Sequence, residues 1–256
     1  MTTRIRLTAV AAACAVAGGA GTMMFTLAAG PEPWWQGYVS ESGTAGQPYA
    51  LPYRWGLITL ALGVASLSAT WAAAPGRSAP PAEMRLRLTR IPYARKWLLD
   101  GTATVWALAV AAVLAAVSGA VPCSHECPLP PYEPTTVADV VHAAASVVGM
   151  VVLAAAMATM WLSAADRAVR WLAGTAVLLM VPLGALLAGT MLIVGRAPVG
   201  AVVERLVLLI AVAWLIGVAL LITRTAGENV NADRCSAART RSPKSSSGGR
   251  RAADIP

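Results

Sequence analysis

Charge is what this chain has least of. Only 12% of its 256 residues are Asp, Glu, Lys or Arg, about half the roughly 25% of an ordinary water-soluble domain, and those charges avoid six long apolar stretches almost completely. A soluble globular domain is thereby excluded. Histidine is scarce as well: with only two, a hydrolase built on three protein ligands and an open metal position is not expected. No phosphate-cradling loop, Walker motif or dinucleotide fingerprint is present, so energy coupling through a nucleotide has no support. The loops between the apolar stretches are too short for a soluble catalytic domain. Nor is there an internal repeat of the kind that builds secondary transporters.

What is present is hydrocarbon. The stretches Leu7 to Ala29, Gly56 to Ala74, Leu98 to Val121, Val140 to Leu162, Trp171 to Val194 and Leu206 to Ile222 reach or approach the ~20 residues a helix needs to cross a bilayer. None alternates with the period of two of a barrel strand, and an open strand in lipid would leave backbone groups unpaired. The expected fold is therefore all-α: a six-transmembrane-helix bundle over residues 1–224. From Thr225 the apolar runs cease, and the Arg239 to Arg251 segment is rich in Ser, Gly and Arg. That composition predicts a disordered basic tail over residues 225–256.

Orientation follows from the basic residues, which are retained on the cytoplasmic side during insertion. Of the 20 Lys and Arg, all but Arg54, Arg196 and Arg205 lie before the first span, in the two-three and four-five links, or after the sixth. Both termini are predicted to be cytoplasmic, which requires an even number of spans. Arg4 and Arg6 before an apolar run also resemble a signal peptide, but Leu7 to Ala29 exceeds the usual h-region of about 7–15 residues. A retained first helix is expected. The net charge of +8 is then explained by topology and tail, so anionic lipid is the expected partner of the tail and nucleic acid is not.

The polar features gather outside. The first exterior loop carries Trp34, Trp35, Tyr38, Tyr49, Tyr53 and Trp55, which suit the headgroup interface, around a Tyr38-Val-Ser-Glu-Ser-Gly43 core with Ser40 and Glu41. The second contains Cys123-Ser-His-Glu-Cys127 between Pro122 and Pro128. In an oxidising exterior two such thiols form a disulfide. Zinc held by Cys123, His125 and Cys127, with Glu126 or His142 completing the set, is the alternative, although structural sites ordinarily use C-x2-C spacing and a second ligand pair; no metal is expected. Cys14 and Cys235 are expected to be unpaired.

Asp139 and His142 stand at i and i+3 at the head of span four and so share a helix face. That face should turn inward, leaving Val140, Val141, Val147 and Val148 to lipid, because ionisable groups near membrane depth face the bundle or a wet cavity. Glu204 and Arg205 enter span six from the same side. The predicted polar cluster is thus Tyr38, Ser40, Glu41, Asp139, His142, Glu204 and Arg205, forming a shallow pocket beneath the cysteine turn. Ser40 as nucleophile, His142 as base and Asp139 or Glu41 as orienter have the residue types for acyl transfer, yet Ser40 lacks a nucleophile turn, so Ser40, Asp139 and His142 are weak catalytic candidates. On the opposite side Asp100 opens span three as a helix-N-terminal charge. Gly18 with Gly19, Ala111 with Ala115 and Ala185 with Gly189 offer close helix packing, and Pro182 should kink span five.

Three of these elements in order, the Tyr38 to Gly43 loop followed by Gln47-Pro48, the Val121-Pro-Cys123 to Cys127-Pro128 loop, and Asp139 to His142, resemble the bacterial six-span family called domain of unknown function 998. The resemblance covers roughly Leu7 to Thr223 and implies a multi-pass bacterial plasma-membrane protein with no assigned activity. A fainter similarity to the eukaryotic six-span Frag1/DRAM/Sfk1 group rests on a comparable aromatic-aliphatic-Ser-acid-x-Gly loop, with Glu41 where Asp is usual there. Abundant Ala, and Arg in preference to Lys, fit a high-GC bacterium. The expected function is non-enzymatic: binding a lipid or small ligand, or supporting a membrane-protein partner or a second copy, through the exterior cluster. A small-solute transporter and an intramembrane lipid hydrolase are the alternatives, and no cofactor is implied.

Tags placed after Pro256 and within residues 76–85 should both report cytoplasm, and one near Glu133 the exterior, in reporter-fusion or accessibility assays. A cytoplasmic signal at Glu133 would overturn the topology.

Overall fold

The computed structural model describes residues 2–31, 33, 35–74, 101–124, 127–128, 133–195 and 197–241, with side chains in the last helix described only as far as 227. The two-three link with its basic residues and Asp100, together with Trp34, His125, Glu126, Arg196 and residues 242–256, lies outside them.

Among the described residues the architecture is six long helices: α1 (Thr2–Ala29), α2 (Ala50–Ala73), α3 (Thr102–Ala120), α4 (Val137–Ser163), α5 (Arg167–Ile193) and α6 (Pro198–Arg241), with a short 3-10 helix at Val39–Gly43. All six are long and apolar enough to cross a membrane, and even the shortest, of 19 residues, rises roughly 28 Å. The chain is a multi-pass membrane protein. Each helix packs on its neighbours in sequence, and α6 returns to α1, closing the ring.

Local chemistry sets the boundaries. Thr136 begins α4 with a reciprocal capping box, its hydroxyl accepting from the Asp139 N–H while the Asp139 carboxylate accepts from the Thr136 N–H, which satisfies donors that a helix start leaves orphaned. Asp166 caps α5 through the Ala168 and Val169 amides. Pro198 occupies the first helical position of α6, where its missing N–H costs nothing. At the other ends, Arg54 donates to the carbonyls of Gly119 and Ala120 as α3 closes. Arg170 does the same for Ala164 and Ala165 after α4. Cations at helix C-termini complement the exposed carbonyls.

The sixth helix departs from expectation. It passes Arg224 and runs to Arg241, so the tail predicted to be disordered from 225 is helical up to that point. Cooperativity favours this: a helix already nucleated by the span needs no new nucleus to propagate, and Ala226, Ala232, Ala237 and Ala238 help it past the weaker Gly227, Asn229 and Asn231. Pro182 lies inside α5 on an exposed face, and the helix is continuous through it.

Packing divides the bundle by depth. Toward the end where α1 begins, Ala9, Ala12, Leu67, Leu108, Met157 and Trp214 belong to one continuous core. Toward the other end, hereafter the loop face, a smaller cluster of Met23, Leu27, Val39 and Tyr53 lies under the first loop. The tightest seam joins α1 to α2. A Cβ at Gly19 would stand 2.5 Å from the Gly56 carbonyl and 2.6 Å from the Leu60 nitrogen, and one at Gly63 2.8 Å from the Val16 nitrogen. Backbones that close admit only glycine, as in small-residue membrane contacts. Gly18 faces open space, as does Gly189, and Ala185 is exposed, so the Ala185 and Gly189 pair is no seam.

Gly19→Ala should therefore lower thermal stability in detergent, by about 1–3 kcal/mol as overpacking does, whereas Gly18→Ala should leave it unchanged or slightly raised. Equal melting curves for the two variants would contradict the seam.

Candidate functional site

The loop face is organised by two carboxylates that hold backbone. Asp139, only 2% exposed, receives the Ser124 N–H and hydroxyl on Oδ1 at 2.6 and 3.0 Å, and the Thr136 N–H and hydroxyl on Oδ2 at 2.8 and 2.7 Å. The Ser124 hydroxyl also reaches Oδ2 at 2.9 Å. Donors thus surround both oxygens of a group that, ionised, only accepts. The effect is to fasten the cysteine loop, through the residue after Cys123, to the head of α4.

Glu204 does the same for the first loop. Its Oε2 accepts from the Val39 N–H at 2.6 Å, capping from α6 the start of the Val39–Gly43 helix, where Tyr38 offers no side-chain cap. An anion at a helix start pairs orphan N–H groups and meets the positive end of the dipole. Arg205 beside it donates to the Gly37 carbonyl at 3.1 Å and to Ala201 at 2.6 Å. The buried Tyr38 ring lies over Gly200, where any Cβ would collide with it, and its hydroxyl donates toward the Gly195 carbonyl at 3.5 Å. Gly43 faces the Tyr53 ring just as closely.

His142, 6% exposed, sits one turn below Asp139. Its Nδ1 is 2.9 Å from the Val121 carbonyl, which can only accept, so Nδ1 carries a proton and donates, and in the neutral tautomer this leaves the lone pair on Nε2. The Ser118 hydroxyl lies 3.5 Å from Nδ1 and 2.8 Å from the Ser146 hydroxyl. Nε2 is buried with no hydrogen-bond partner. Cys123 and Cys127 lie at disulfide distance, with Cα atoms 5.0 Å apart, on a turn closed by the Cys127 N–H donating to the Ser124 carbonyl at 3.0 Å. Cys127 takes a positive φ of 50°, which non-glycine residues adopt only in tight turns.

The expected cluster is therefore two clusters. Tyr38, Glu204 and Arg205 anchor the first loop to α6, while Asp139 and His142 face inward against residues 121–124. They are joined by backbone, the Ala45 N–H donating to the Cys123 carbonyl at 3.3 Å. Ser40 is half-buried, and among the described residues no hydrogen bond joins it to His142 or Asp139. Among the described residues Ser40 is therefore not assembled with His142 as a nucleophile and base. Glu41 lines a cleft of about 40 Å³ between the end of α1 and the first loop, with Gln36, Tyr38, Ser42, Gln47 and Tyr49; Asp139 and His142 are not part of it. Val140, Val141, Val147 and Val148 are exposed, as the inward turn of Asp139 requires. Cys14 is a free, exposed cysteine; the side chain of Cys235 lies outside those described. Sequence reasoning overlooked Thr136 and Ser124. The pattern Thr136-x-x-Asp139 is a legible capping-box signal, whereas Ser124 is brought in by the chain's return and has no local signature.

The sequence profile of the family described as protein of unknown function (DUF998) matches residues 86–221, just over half of the chain. The chain belongs to this family. The matched region takes in the cysteine loop, Asp139, His142, Glu204 and Arg205, while the Tyr38 to Gly43 loop lies before it. No curated protein and no solved structure matches the chain.

Asp139→Asn tests the carboxylate clamp. With backbone N–H groups on both oxygens, either orientation of an amide sets its NH2 against a donor, so stability in detergent should fall by about 1–3 kcal/mol. Protection of the Ser124 amide from hydrogen exchange should fall with it. Unchanged melting and exchange would remove the clamp.

Proposed function

We propose that this DUF998 protein is a non-catalytic protein of the bacterial plasma membrane, with both termini cytoplasmic, that binds lipid at its loop face. One observation carries the reading: the cleft lined by Gln36, Tyr38, Glu41, Ser42, Gln47 and Tyr49 has exposed Phe25 and Trp35 next in sequence to its lining residues Thr26 and Gln36, with the Phe25 ring edge-on to Tyr49. Those apolar and aromatic side chains suit the bilayer interface, so the polar pocket lies at headgroup depth. A volume of about 40 Å³ suits a single protruding group, well below the roughly 300–1,000 Å³ of a small-molecule site. A primary ammonium is that group, with Glu41 as its counter-charge and Gln47 and the tyrosines as further contacts.

The orientation draws on the same structure. Arg4, Arg6, Arg167 and Arg170 lie toward the end where α1 begins. The loop-face cations Arg54 and Arg205 are tied to backbone carbonyls, which gives them a structural reason to sit against the charge rule.

In nanodiscs, phosphatidylethanolamine should raise the melting temperature above that in phosphatidylcholine by about 2–4 °C, the shift expected for about 1 kcal/mol in a chain of this size. Glu41→Gln combined with Gln47→Ala should erase the difference. Equal melting in the two lipids, or a difference that survives in the variant, would overturn lipid recognition at this cleft.

A further inference from the structure

Among the described residues, the one buried imidazole nitrogen left without a hydrogen-bond partner lies beside two cysteine sulfurs. The two Sγ atoms of Cys123 and Cys127 and a ring nitrogen of His142 all lie within 4.8 Å of one another. Cys123 is 2% and His142 6% exposed. The Val121 carbonyl holds the proton on Nδ1, so the lone pair is on Nε2, and Nε2 has no hydrogen-bond partner. Trp71 and Trp214 also bury an unpartnered ring nitrogen, but an indole N–H only donates and cannot ligate. A bare imidazole nitrogen beside two cysteine sulfurs becomes a ligand set once those sulfurs are reduced to thiols.

We propose that in its dithiol form the protein binds one thiophilic d10 cation, with Zn²⁺ as the probe, through Cys123 Sγ, Cys127 Sγ and His142 Nε2. Tetrahedral zinc with bonds of about 2.3 Å to sulfur and 2.0–2.1 Å to nitrogen sets its ligands about 3.4–3.8 Å apart, and the three side chains already bring one ligand atom each within 4.8 Å of the others. Water takes the fourth position. The supports of such a site are already in place: a ligating histidine ordinarily donates its other N–H to a backbone carbonyl, here Val121, and the root of the cysteine turn is fastened by Asp139 through Ser124.

Disulfide and metal are then alternative states of one site. Binding Zn²⁺ to two thiols and a neutral imidazole releases two protons. Oxidation passes two electrons from the thiolates to a disulfide co-reactant, which takes up two protons and leaves as two thiols, while the new Cys123–Cys127 bond removes both thiolate ligands. The disulfide expected from the sequence is thus one of two states.

The test uses the full chain in detergent, before and after reduction with a phosphine that is then removed. Reduced protein should take up one Zn²⁺ per chain against a chromogenic chelator, and oxidised protein none. Co²⁺ in place of Zn²⁺ should give a thiolate-to-metal charge-transfer band together with strong tetrahedral d–d bands. Cys127→Ser should weaken Zn²⁺ binding by more than about tenfold, and so should His142→Gln, a variant that keeps a donor for the Val121 carbonyl. A reduced chain that takes up no Zn²⁺ overturns the proposal. So does binding that persists undiminished in His142→Gln with an unchanged melting temperature, because the metal would then rest on the cysteines alone.

Discussion

Inside a bilayer no water is at hand to pair a polar group, so every donor and acceptor at membrane depth has to find its partner in the protein. This constraint arranges the loop face. Asp139 and Glu204 sit within apolar helices, and each receives backbone N–H groups from a loop that would otherwise lie loose over the bundle. The exchange works in both directions. The carboxylate is satisfied where hydration is poor, and the loop gains an anchor that hydrophobic contact alone, non-directional as it is, would not supply.

The same constraint explains the contrast between the two ends of the bundle. Toward the start of α1 the helices bring almost only Ala, Leu, Met and Val into contact, and glycines let α1 and α2 approach until backbone meets backbone. Toward the loop face the chain leaves the helices, and its free amides and carbonyls require polar partners. Arginines there act as caps: Arg54 on the end of α3 and Arg205 on the 36–37 carbonyls. Their charge is tolerated on that side because it completes helix ends and turns.

Satisfaction of the polar groups also bears on chemistry. A catalytic constellation keeps a nucleophile beside its base with room for a reacting group, and here Asp139 is occupied by Ser124 and Thr136 while Ser40 belongs to another loop. Functional reading therefore rests on two other places: the cleft at the aromatic rim and Nε2 of His142 beside the cysteines. The first is the proposed seat of a lipid headgroup and the second of a soft cation. Their separation means that each can be tested with the other intact.

Much of the fold was legible from sequence. Hydrophobic length alone determined six helices, because the thickness of hydrocarbon fixes how many apolar residues a helix must supply. The inward turn of Asp139 and His142 followed from the valines on the other faces of α4, since a charged group has only one inexpensive direction to point. Loss of hydrophobicity at Thr225 ends a span but does not end a helix, and α6 runs on to Arg241. What tertiary structure alone decided is which polar groups meet. Asp139 and His142 turn to residues 121–124, and Glu204 and Arg205 to residues 36–39, because the ring closure of α6 on α1 carries the first loop to one side and the α3–α4 connection to the other. Residue type announces that such groups need partners. Which partners they obtain depends on contacts between segments up to 169 residues apart, and no local pattern encodes those.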